Sequence, residues 1–188
     1  MLQVIQDDAG ILLAALSPEE VLAFLDVCPR GTLQAHPLTL LVLMRRMFTW
    51  QQIPKMLELR ALLLAGIEAH PELPDAEQGN LLGECDLIMS FLQYNDIAAM
   101  SRLHRSAAAR MTRPAISIRN EGSWTFGSPS VLMMFHRTPG QLDAELDAMN
   151  ACMPHYYRLT NGHGQGAERI MDAEAAFLRG RFADAAIF

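Results

Sequence analysis

The residues best placed to do chemistry lie in Gly162-His163-Gly164-Gln165-Gly166, where three glycines alternate with a histidine and a glutamine. Backbone N–H groups in such clusters cradle phosphates, and a histidine among them can hold or move a proton. A dinucleotide fingerprint, however, needs a strand immediately before the glycines and an acidic residue about 20 positions after them. Here Met149 to Leu159 read as helix, with Pro154 bending the last turns, and the chain ends 22 residues after Gly166. No GxxxxGK[ST] stretch occurs in the sequence. The cluster therefore reads as a joint at which Gly162 and Gly164 let the chain reverse between two helices. Glu168 follows in the first turn of the second helix, where a carboxylate suits the helix dipole.

Other reactive side chains are dispersed. His36, His70, His104, His136 and His155 show neither an HExxH motif nor paired-ligand spacing, so no metal site is expected. Cys28, Cys85 and Cys152 are odd in number and set in apolar stretches, which predicts buried thiols rather than a disulfide framework. No glycine-flanked nucleophile elbow appears, so no catalytic residue and no cofactor are predicted. A helical hydrolase built on one of the histidines ranks lowest among the readings. Arg102, His104, Arg105, Arg110, Arg113 and Arg119 concentrate positive charge, either as a solvated helix face or as a seat for an acidic segment or anionic effector. Tyr156 and Tyr157, with His163 on the joint, either line a pocket or cap the core with their hydroxyls in water.

The elements that must position these residues are helical. The chain has 188 residues, a net charge of −6 and a 51% apolar composition. This sign argues against duplex DNA binding, and no apolar run approaches the roughly 18 residues of a membrane span. The start, "MLQVIQDDAG", lacks a basic n-region, so the chain reads as cytoplasmic. "SPEE" at Ser17 is a capping box with Pro18 at the first helical position, and "TPGQ" at Thr138 and "SPS" at Ser128 follow the same logic. Ile53, Met56, Leu57, Leu63, Leu64 and Ile67 form one amphipathic stripe; Leu142, Leu146, Met149, Met153 and Tyr156 form another. The abundant methionines read as adaptable core filling.

Gln51, Asn95, Gly140 and Gly180 each precede an apolar residue at +2 and lie 44, 45 and 40 residues apart. A left-handed residue ending one helix before another returns would give such a pattern. The expected fold is all-α, a right-handed solenoid of helical hairpins resembling a tetratricopeptide superhelix. The single helical-repeat domain spans 1–188. Within it are N-terminal helices over 1–34, two hairpins over 35–112, an insert over 113–129 and further hairpins over 130–188, the last cut short. In the insert, "AISIRNEGSWTFG" alternates like a short β-hairpin. Trp124 and Phe126 are expected to fold over the middle hairpins, with any pocket lying between them and the Arg102 to Arg113 face.

Leu81 to Ala107, "WTFGSPSVLMMFHR" and "TNGHGQGAERIMDAEAAFLRGRFADA" together resemble the helical-repeat region of MalT-like, LuxR-type bacterial transcription regulators. "TFGSPSV", "GHGQGAE" and "FLRGRFADA" are the most distinctive blocks. The resemblance implies a non-enzymatic module that binds a small-molecule or peptide effector, or a partner. It would relay that event to ATPase and DNA-binding domains elsewhere in the parent regulator, without touching DNA itself. A structural spacer or self-association module is the alternative. Candidate binding residues are Arg102, Arg105, Trp124, Phe126, Tyr156, Tyr157 and His163.

Overall fold

The computed structural model describes residues 1–93, 95–119 and 130–188, and among these the secondary structure is helical throughout, without strands. Four short N-terminal elements come first: α1 (Leu2–Asp7), a 3₁₀ turn (Leu12–Ala15), α2 (Pro18–Val27) and α3 (Arg30–Gln34). Two long antiparallel pairs follow, α4 (Pro37–Thr49) with α5 (Ile53–Ala69) and α6 (Asp75–Ser90) with α7 (Ile97–Arg110). Then come α8 (Val131–Phe135), α9 (Leu142–Leu159), α10 (Ala167–Leu178) and α11 (Phe182–Ala185). Beyond the pairs, α4 packs on α6, α7 on α9, and α10 on both α8 and α9. No described helix is long and apolar enough to cross a membrane.

Local signals set the helix starts. Ser17 Oγ accepts from the Glu20 amide while Glu20 accepts from the Ser17 amide, completing the capping box of α2. All four repeat anchors stand two residues ahead of a helix: Ile53, Ile97, Leu142 and Phe182 each open one. Gln51, Gly140 and Gly180 have φ of 57°, 82° and 75°, the left-handed conformation that separates a departing helix from a returning one.

One expected cap lies outside the described residues and one is corrected. Helix α8 is capped by Ser130, whose Oγ accepts from the Met133 amide, whereas the roles expected of Ser128 and Pro129 fall outside the described residues. Thr138 to Gly140 form a turn closed by Gln141 N–H donating to the Thr138 carbonyl, and α9 starts only at Leu142. The left-handed Gly140 lies where the first helical turn was expected, which is why Thr138 cannot be the cap.

The amphipathic stripes are partly as expected. Met149, Met153 and Tyr156 of α9 are buried, with Leu142 and Leu146 packed at the edge of the core. On α5 the buried line is Met56, Leu59, Leu63 and Ile67, whereas Leu57 is exposed. Eight of the twelve methionines are buried, so core filling is their main role.

The segment from Ala115 to Arg119 forms no strand. Its amides are engaged elsewhere: Ala115 N–H donates to the Leu159 carbonyl, and the Ile116 and Ser117 amides donate to the Glu84 carboxylate. Backbone donors committed to α6 and α9 are not free for a hairpin ladder. The remainder of the expected hairpin, with Trp124 and Phe126, lies outside the described residues.

Candidate functional site

A cleft of about 900 Å³ opens where the ends of several helices converge. The C-terminal end of α4 supplies Arg45, Phe48 and Thr49, and the chain just beyond α6 supplies Phe91. Met100 and His104 come from α7, Met133 to Phe135 from α8, Met153 and Tyr156 from α9, and His163 from the glycine joint. Periodicity explains the convergence: Met100 and His104 are one turn apart on the buried face of α7, as Met153 and Tyr156 are on α9.

An aromatic and polar chain runs through the cleft wall. Phe48 packs on Phe91 at 5.3 Å between ring centres, Phe91 meets Tyr156 edge-on at 6.4 Å, and Tyr156 stacks on His104 at 4.9 Å. The Tyr156 hydroxyl shares a 2.8 Å hydrogen bond with His163 Nδ1. Burial pushes the Tyr156 phenol well above its usual range, with the Arg45 charge opposing the shift. Burial also lowers His163, and the Arg45 charge lowers it further. At neutral pH the pair is an uncharged hydrogen-bonding unit.

Arg45 brings the charge. Its guanidinium lies 4.8 Å from the Phe91 ring centre and 5.8 Å from that of Phe48, and Nη1 donates to Thr49 Oγ1 at 2.7 Å. No carboxylate pairs with it, and no Asp or Glu lines the cleft among the described residues. Burial pulls the guanidinium below its usual range.

Ser90 and His104 form the nearest thing to a catalytic pair. Ser90 Oγ lies 3.1 Å from His104 Nε2. The Ser90 O–H, however, donates to the Leu87 carbonyl at 2.6 Å, leaving its oxygen to accept from the imidazole. No carboxylate or other side chain bonds His104 Nδ1 among the described residues, so the ring lacks the acidic partner that would orient it as a base. Burial lowers His104 to about 4, only partly offset by the Cys152 carbonyl. Cys85 and Cys152 are buried, and burial raises them to about 11 and about 12, which keeps both as neutral thiols. The described residues hold no group of three or more potential metal ligands.

No family model, curated protein or solved structure matches this chain. The chemistry of the site is therefore defined by its residues alone.

Of the residues singled out in the sequence, Tyr156 and His163 line the cleft. Tyr157 does not; its hydroxyl accepts from the Gly166 and Ala167 amides at 3.1 Å and donates to Glu168, so it caps α10. Arg102 and Arg105 are exposed on α7, away from the buried His104 face, and Arg105 donates to Ser101. Arg113 is tied to Glu77 and Glu84. The cleft is thus lined by the opposite face of α7 from the arginines expected to border it. Trp124 and Phe126 lie outside the described residues. Arg45, Phe48 and Phe91 were not anticipated, although Arg45 carried a signal. It interrupts an apolar helix, and positions 41, 42, 48 and 49 offer it no acidic neighbour.

His104 makes stability depend on pH. Its folded pKa of about 4 lies below the ordinary 6.5, so the unfolded chain binds the proton more tightly. The contribution is complete above about pH 6.5 and is lost as pH falls towards 4. Between pH 7 and pH 4.5 the wild type is expected to lose about 2–3 kcal/mol more than His104→Gln. Urea titrations of both proteins at the two pH values measure this, and equal losses would refute it.

Proposed function

We propose that this chain is a non-enzymatic ligand-binding module of a LuxR-type transcription regulator, built as a stack of helical hairpins and taking a small effector in the cleft beside His104 and Tyr156. The cleft is the observation that carries the binding function. Its volume lies within the roughly 300–1,000 Å³ of small-molecule sites, and its wall combines aromatic and methionine side chains with a few convergent polar groups. The regulator assignment rests on the sequence blocks described above. The pairing of α4 with α5 and of α6 with α7, with α4 against α6, is compatible with hairpin stacking. The committed Ser90 proton and the weakly basic His104 favour binding over hydrolysis.

Occupancy of the cleft is expected to raise the melting temperature by mass action. A thermal-shift screen of small aromatics, sugars, nucleotides and peptides tests this, with Met134→Trp, which crowds the cleft with a bulkier ring, as the comparison. At least one compound should shift the wild type and leave Met134→Trp unmoved. A flat screen, or equal shifts in both proteins, would remove the ligand-binding reading.

One observation favours self-association instead. Phe177 and Leu178 of α10, Phe182 of α11 and the following Ile187 and Phe188 are all exposed, and an apolar surface of this kind suits protein contact. Sedimentation separates the two readings: a concentration-dependent mass abolished by Phe177→Glu supports assembly, and a constant mass opposes it.

A further inference from the structure

We propose that the cleft ligand is a small carboxylate with an aromatic or branched apolar body, and that Arg45 is its counter-ion. This inference rests on the ligand-binding reading above and deepens it by naming the class of effector. The protein is acidic overall, yet its cleft presents two guanidinium groups, Arg45 and Arg137, and no carboxylate among the described lining residues. Arg137 is already turned to the backbone, with Nη1 donating to the Met133 and His136 carbonyls. Arg45 spends one donor on Thr49 and, among the described residues, pairs with no carboxylate. A guanidinium carries five N–H donors in a planar fork that matches a carboxylate in two parallel bonds. The remaining nitrogens of that fork are not among the buried unpartnered atoms of the described residues, so they stay open to solvent and to an incoming carboxylate, which would exchange water for two charge-assisted bonds.

The remaining wall sets the rest of the ligand. Phe48, Phe91, Met100, Met153 and Tyr156 offer flat and deformable apolar surface, suited to an aromatic ring or a branched hydrocarbon. A phosphate fits less well, because the described wall holds only one cation whose donors are not already turned to carbonyl groups. The Tyr156–His163 pair is neutral at pH 7 and does not compete for the anion.

The test uses the full 188-residue chain and matched pairs of compounds. Phenylacetate, indole-3-carboxylate and 4-methylpentanoate are titrated calorimetrically beside their primary amides, which keep the shape and lose the charge. At least one acid should bind the wild type tenfold or more tightly than its amide. Arg45→Met should lose that tenfold for the acid while binding the amide unchanged, and the amide binding shows that the variant is folded. Equal affinity of acid and amide for the wild type overturns the counter-ion and leaves the cleft reading standing, as does unchanged acid binding by Arg45→Met. Failure of every acid overturns this proposal, and failure of the broader thermal-shift screen as well overturns the cleft reading with it.

Discussion

Glu84→Ala is expected to lower the unfolding free energy by about 3–5 kcal/mol, the cost of breaking a buried ionic network on one side. Glu84 is fully buried on α6. One of its oxygens accepts from the Ile116 amide at 2.9 Å and the Ser117 amide at 2.5 Å, and the other faces Arg113 Nη1 at 3.4 Å. Alanine would leave two amides of an irregular segment without an acceptor and Arg113 with Glu77 as its one carboxylate partner among the described residues. Glu84→Gln keeps one acceptor oxygen for the two amides but turns an N–H₂ group towards the guanidinium. Its loss should be smaller, about 1–2 kcal/mol. Urea unfolding of the three proteins measures both values. A Glu84→Ala loss below that of Glu84→Gln would show that the carboxylate does not anchor the segment.

Gly79→Val should cost about 3 kcal/mol, from overpacking at the contact between α6 and α7. A Cβ at Gly79 would lie 2.8 Å from the Arg110 carbonyl oxygen, and at Gly83 one would lie 2.4 Å from Met111 Cγ. The two glycines are one turn apart and let the end of α7 lie directly on α6. At Gly79 the obstacle is backbone, and that backbone is held: the Thr112 and Arg113 amides donate to Asn80 Oδ1 at 2.8 and 3.4 Å. At Gly83 the obstacle is a side chain that can swing, so Gly83→Ala should cost less than Gly79→Val. Gly31, in α3, has open space around it, and Gly31→Ala should gain up to about 1 kcal/mol through helix propensity. Differential scanning calorimetry separates the three variants. If Gly79→Val melts within a degree or two of the wild type, the two helices are not in close contact at that point.

Neither pair of effects could be anticipated from the neighbouring sequence. Glu84 reads as an ordinary polar position in "GNLLGECDL", because its partners lie about 30 residues later in the chain. Asn80 is hidden in the same way. The alternation of Ile116 and Ile118 suggests a strand for a local reason, and a distant carboxylate removes the amides the strand would need. Leu57 fits a helical stripe by spacing alone, yet it faces outward, because among the described residues no element covers that side of α5.

The candidate site divides along the same line. The glycine joint, Tyr156 and His163 were legible because positive-φ residues and helical periodicity are written in adjacent positions. Tyr157 looked equivalent to its neighbour, but one residue of helix is a 100° rotation, which turns it from the cleft to the start of α10. Neighbouring residues alone are enough to place the helix starts after Gln51, Asn95 and Gly180, the capping box at Ser17 and the chain reversal at Gly162 to Gly166, whereas after Thr138 they offered two competing starts. These depend on backbone dihedrals and on hydrogen bonds spanning a few residues. The packing of the helices is what brings Arg45, Phe91, His104 and Tyr156 into one cleft and buries Glu84 against the segment after α7. Those contacts join residues far apart in the chain, and burial and charge pairing are set by which helix faces meet.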